Sequence, residues 1–336
     1  MLSKIFSNRT SVEDRDTEKI HVDSQLVYWT SWLIIAVVTP AAILIQFASG
    51  IEIDFRSVAP LVVLIILLVA VEVFYTSIRY NPRFSAACGL LAVLIVAGLL
   101  AALISHTGIR ISLPYVDSWL SRADSFIGIH TPTILLQFAR YPEFSKLLAT
   151  IYSTSLPVCF FCGLVLAASG RIARANELAF AFTFCILLAA ITSILLPALG
   201  STVYHDIGMV QGLPSTAGTF HMNTVIYFRD DPLATFDLGK VQGIVTFPSF
   251  HMVMAILVPY ALRGPDVVTY VAAFWSFLVM LSAVVIGGHY IVDLLAGAAT
   301  WAIATWLFGS FVAAGGSMPG HHHAKLEKSA RQTAGN

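Results

Sequence analysis

Apolar stretches recur along this chain at about 27–48, 57–78, 85–105, 146–169, 177–197, 247–262, 267–287 and 290–314. A helix rising about 1.5 Å per residue needs about twenty residues to cross about 30 Å of hydrocarbon, and most of these stretches suffice. Backbone polar groups in lipid must be satisfied within the spanning segment, which a helix does. The expected fold is therefore all-α, a polytopic integral-membrane bundle of about eight transmembrane helices. The stretch at 247–262 is short, as suits a helix that begins below the lipid surface inside the protein. A soluble fold is excluded: 57% of the 336 residues are hydrophobic and 11% charged, where a soluble domain has about 25% charged.

Basic residues orient the bundle, because short cytoplasmic loops retain Lys and Arg. With the N-terminus cytoplasmic, the inner side holds Lys4, Arg9, Arg15, Lys19, Arg79, Arg83, Arg171, Arg174, Arg263, Lys325, Lys328 and Arg331. The outer side receives only Arg56, Arg110, Arg122, Arg140, Lys146, Arg229 and Lys240, spread over longer loops. The chain then divides into a cytoplasmic tail at 1–26, N-terminal transmembrane helices at 27–105, a membrane core with extracytoplasmic cap loops at 106–314, and a cytoplasmic tail at 315–336. Lys plus Arg equals Asp plus Glu at 19 each, so nothing points to nucleic acid; the partner is the membrane and its lipids, with oligomeric state left open.

Two short pieces carry the chemistry. In Thr246-Phe247-Pro248-Ser249-Phe250-His251, Pro248 suits the first position of a helix, leaving the amides of Ser249, Phe250 and His251 to face an anion. In Gly287-Gly288-His289-Tyr290-Ile291-Val292-Asp293, the His and Asp are four apart and so neighbours on one helix face. A carboxylate there takes the proton of one ring nitrogen and leaves the other as a nucleophile. On the N-in topology both histidines meet on the outer side, with the long stretches 106–145 and 198–246 available as a cap. Within the first stretch, Tyr115 to Gln137 alternates apolar residues with Asp117, Arg122 and Asp124, as an amphipathic helix lying along the interface would.

Other polar residues receive plainer readings. His106, His130, His205 and His221 are loop or cap residues, with His205 and His221 placed to touch a head group. Glu72 lies in a span near its inner end, paired or protonated. Cys88, Cys159, Cys162 and Cys185 fall in apolar runs and imply packing, and His321-His322-His323 lies in a polar tail without assigned function. Tyr28, Trp29, Trp119 and Trp301 read as interface anchors.

Phe247-Pro248-Ser249-Phe250-His251, Gly288-His289-Tyr290-Ile291-Val292-Asp293 and the 37 residues between the two histidines resemble the type-2 phosphatidic acid phosphatase superfamily. The likeness is greatest to its inositol-phosphorylceramide synthase and sphingomyelin synthase branch, and Asp117-Ser118-Trp119-Leu120 through Asp124 to Gly128 echoes a pattern of bacterial members. The resemblance implies a two-step reaction with no metal and no cofactor. His289 attacks phosphorus, Asp293 orients it, His251 protonates the leaving oxygen, and Ser249 with nearby amides holds the phosphoryl oxygens. The setting implied is a plasma membrane, or the inner membrane of a bacterium.

Two departures from the phosphatase pattern stand out. The Lys-x6-Arg-Pro signature is missing, and Ala283 follows Ser282 where Ser-Arg would be expected. The synthase branch also lacks these arginines, which favours transfer of a phospho-head-group between lipids over hydrolysis of phosphatidate or isoprenyl phosphates. Transferring phosphoryl groups still need cationic donors, and Arg229, Lys240, Arg140 and Lys146 are the outward-facing candidates. A transporter or scramblase using the same residues for proton coupling is the alternative of a different class. Such proteins show paired halves and midplane broken helices, and no such repeat is visible here.

Overall fold

The structure is a computed structural model that describes residues 2–316 apart from 208–209, with side chains described from residue 25 to 310. The helices run α1 Leu2–Ser49, α2 Phe55–Ser77, α3 Pro82–Gly108, α4 Asp117–Phe126, α5 Thr131–Phe138 and α6 Pro142–Ala168. It continues with α7 Ile172–Leu195, α8 Ser201–Tyr204, α9 Met222–Asp230, α10 Phe250–Ala261, α11 Val267–Val285 and α12 Ile291–Gly316. Two-residue strands β1 (Glu52–Ile53) and β2 (Thr235–Phe236) pair in parallel, tying the α1–α2 connection to the 198–246 stretch at one end of the bundle.

Among the described residues seven helices are long and apolar enough to cross a membrane, one fewer than the eight expected. The difference is α10, whose 12 residues extend only about 18 Å. Phe250 at its start packs edge-on against Phe182 in the middle of α7, at 5.2 Å, so α10 begins inside the bundle. Its far end is fixed by Glu177 near the start of α7, which accepts hydrogen bonds from the Tyr260 hydroxyl and Arg263, both at 2.8 Å. Helix α1 also reaches back to Leu2 through the segment read as a tail, and the His321-His322-His323 run lies outside the described residues.

The main core joins α1, α3, α6, α7 and α10 through small and aliphatic residues such as Ala97, Ala101, Leu178 and Leu257. All four cysteines are buried and unpaired, and Cys159 and Cys162 belong to this core.

The amphipathic helix expected over Tyr115 to Gln137 is instead two short helices, α4 and α5, separated around Gly128, which adopts φ +77°. Their acidic residues do not face water. Asp117 and Asp124 are each 2% exposed and bind backbone amides of the core. Two of the expected interface anchors also prove internal: Tyr28 is buried, and Trp301 packs edge-on against Tyr260 at 5.2 Å.

Candidate active site

Ser249 caps α10, its hydroxyl accepting from the Met252 amide at 3.4 Å. Pro248 therefore lies before the cap and not at the first helical position, contrary to the sequence reading. The Ser249 amide is not free for an anion either: it donates to the Asp293 carbonyl at 3.0 Å. The hydroxyl and amide of Ser249 thus both serve the local backbone, and the outward amides are those of Phe250 and His251, at the positive end of the helix dipole.

The same contact brings the two motifs together. Gly297, one turn beyond Asp293, permits it, since a Cβ there would lie 2.3 Å from the Ser249 carbonyl oxygen. The rings of His251 and His289 consequently sit 6.0 Å apart between centroids, tilted by 57°.

Their surroundings differ. His289 is 2% exposed, and its Nδ1 lies 3.4 Å from Oδ2 of Asp293, itself fully buried. The same Oδ2 accepts the Tyr290 amide at 2.9 Å, while Oδ1 is buried without a hydrogen-bond partner. The Asp293 contact favours a proton on Nδ1 and a lone pair on Nε2. His251 is half-buried, and among the described residues its ring makes no hydrogen bond. It is held by stacking on Tyr152, at 3.9 Å between centroids and 16° between planes.

The cap fixes the His289 turn from above. Asp124 accepts from the amides of Ile291 at 3.0 Å and Val292 at 2.9 Å, the first turn of α12, and from the Thr131 hydroxyl at 2.7 Å. Asp117 accepts from the amides of Leu199 and Gly200, each at 2.9 Å, and from the Tyr290 hydroxyl at 3.2 Å. Burial pushes the Asp117 carboxyl above its usual range, against the opposing pull of those donors. The Ser201 amide then reaches the Gly288 carbonyl at 2.7 Å, and the Gly218 amide reaches that of Ile286 at 2.6 Å. Gly288 adopts φ +73°, and a Cβ on it would lie 2.9 Å from Cα of Gly218. Glycine is thus required there by both conformation and space.

Two neighbours carried no distinctive sequence signal. Tyr152 reads as an ordinary aromatic in an apolar span. His221, read as a cap residue, is 2% exposed with its Nε2 2.9 Å from the Leu199 carbonyl. Burial holds it below the ordinary histidine range, the Leu199 carbonyl opposes that shift, and nearby His289 adds to it.

The four candidate cations lie elsewhere. Arg229 donates to the Leu113 carbonyl at 3.0 Å and covers the Tyr115 ring at 4.3 Å. Lys240 donates to the Tyr227 hydroxyl at 2.9 Å, Lys146 pairs with Glu143 at 2.7 Å on an exposed surface, and Arg140 is exposed. Among the described residues none of the four bonds to His251, His289 or Asp293. Ser282, at the place of the family's Ser-Arg pair, turns its hydroxyl back to the Val279 carbonyl at 2.8 Å, and Ala283 is fully buried.

No curated protein and no solved structure matches the chain. A family model described as PAP2 superfamily matches residues 118–307, which include α4 from its second residue, most of the cap and both histidine motifs. With more than half of its length matched, this membrane-helical chain belongs to the PAP2 superfamily, whose members are phosphatase-type enzymes.

Proposed function

We propose that the protein transfers a phosphate-bearing head group between lipids through a phospho-histidine at His289, as an enzyme of the synthase type. The observation that supports this most is the pairing of a histidine fixed by a carboxylate with a second, unbonded histidine ring 6.0 Å away. The Nε2 lone pair of His289 attacks phosphorus, and the bond from phosphorus to the donor lipid's oxygen breaks as that oxygen takes a proton from His251. The acceptor hydroxyl then gives its proton to His251 and attacks phosphorus, and the P–N bond breaks. Asp293 balances the charge that develops on the His289 ring.

The amides at the start of α10 meet the phosphoryl oxygens, with Ser249 holding that helix start in shape. Arg229, Lys240, Arg140 and Lys146 act on the cap as steering charges that draw an anionic head group inward. The absence of the phosphatase arginines supports transfer to an alcohol over hydrolysis. The scheme is metal-independent, so a chelator should leave turnover unchanged. The site is assigned to the extracytoplasmic face of a plasma or bacterial inner membrane, with both termini cytoplasmic and the four-part division at 26, 105 and 314 retained.

Lipid mass spectrometry on cells carrying wild-type or His289→Ala protein tests this reading. A phosphodiester lipid that accumulates only with the wild type, and in purified protein only when an acceptor alcohol is supplied, supports transfer. Release of free phosphate from phosphatidate or isoprenyl diphosphate without an acceptor identifies a phosphatase instead. Lipid movement across vesicles that survives His289→Ala identifies a transporter.

A further inference from the structure

A cavity of about 1020 Å³ lies between α1, α2, α3 and the start of α7. It is distant from the histidines. His251 opens α10, whereas Tyr260 near the other end of that helix bonds Glu177, the residue after Asn176 of the cavity wall. About 14 Å of helix separates His251 from Tyr260.

The wall is mostly apolar, and Glu72 is its only charged side chain among the described residues. Tyr28 is 7% exposed, and its hydroxyl lies beside the Glu72 carboxylate and the Trp32 indole. Both groups converge on Gly89 of α3, where a Cβ would lie 2.5 Å from Oε1 of Glu72 and 2.7 Å from the Tyr28 hydroxyl. Aromatic rings of Trp29, Trp32, Tyr75 and Tyr80 also line the cavity. A carboxylate at membrane depth is costly without a counter-charge, and aromatic faces attract cations. Ile66 and Val73, both exposed on α2, line the remainder and leave it open toward lipid. Its volume is at the upper end of ligand sites, about 300–1,000 Å³.

We propose that this cavity binds a long-chain primary amine, with its ammonium on Glu72 and Tyr28 and its alkyl chain along α2. The occupant carries no phosphate, because among the described residues the wall offers no Lys or Arg to meet one. The site is independent of the phosphotransfer reading.

The test uses the full chain in phosphatidylcholine nanodiscs and follows tryptophan quenching by dibrominated octadecylamine and dibrominated octadecanol, which differ only in the head. The expected result is saturable quenching by the amine at a concentration at least tenfold lower than by the alcohol. Glu72→Gln should abolish that preference, and Glu72→Asp should keep most of it. Thr76→Lys, which sets an ammonium four residues from Glu72 at an exposed position, should abolish it as well and decides the matter if Glu72→Gln does not fold. Equal quenching by amine and alcohol, or an amine preference that survives Glu72→Gln or Thr76→Lys, overturns the proposal. Displacement of the amine by phosphatidylethanolamine overturns its phosphate-free part.

Discussion

The His289 turn and the His251 helix start bring their rings within 6.0 Å of each other but are built on opposite plans. His289 is nearly dry, bonded to Asp293, and braced by Asp117, Asp124 and the Gly218 backbone of the cap. His251 stands at the head of a short helix with the Tyr152 ring stacked against it and, among the described residues, no hydrogen bond to its own ring. A nucleophile benefits from a fixed tautomer and a fixed direction. A proton carrier must gain and lose a proton in each turnover, and a permanent partner would bias it toward one state. The asymmetry therefore supports the proposed division of roles more than the presence of two histidines alone does.

The largest expected effect is at the fixed histidine. His289→Ala should lower turnover by about 10⁵-fold or more, as loss of a covalent nucleophile does, and Asp293→Asn by about 10³- to 10⁴-fold, both measured as head-group transfer in vesicles. Similar, small losses in the two variants would break the comparison. His251→Ala should cost about 10²- to 10⁴-fold with a natural lipid donor. With a nitrophenyl donor, whose leaving oxygen needs no proton, the loss in the first step should shrink below about tenfold. An unchanged loss would remove His251 from the acid's role.

Smaller effects sharpen the contrast. Tyr152→Leu should slow turnover by about two- to tenfold, since stacked pairs contribute about 0.5–1.5 kcal/mol, and Tyr152→Phe should keep the wild-type rate. On the braced side, His221 stays neutral when folded because burial holds its pKa down. As pH falls through the ordinary histidine range, the unfolded chain gains a proton that the folded chain refuses, so stability falls with acid. Melting temperatures between pH 7 and 5 should decline less steeply in His221→Gln than in wild type. Parallel declines would show that His221 contributes nothing to acid sensitivity.

Much of this was legible in the residues. Hydropathy marks the long helices because each must satisfy its backbone in lipid, and Pro-Ser-x-His and His-x3-Asp point to the region of the proposed site through their local spacing and their resemblance to the family. What was hidden depends on contacts distant in sequence. Asp117 and Asp124 alternate with apolar residues as an interfacial helix would, yet they turn inward to amides 82 and 167 residues away. Ser249 could not be known to spend its amide on Asp293 until α10 and α12 were side by side. Tyr152 and His221 have no motif, since their importance lies only in what they touch.

The central claim is a covalent bond between phosphorus and the His289 ring. It is tested most directly by incubating the His251→Ala variant with a nitrophenyl donor radiolabelled at phosphorus, whose leaving oxygen needs no proton, quenching in alkali and mapping the adduct by peptide mass spectrometry. The account predicts label on the peptide that carries His289, labile to acid and absent from the double variant with His289→Ala. Label on His251 in the wild type, or turnover with no covalent adduct at any quench time, would contradict it.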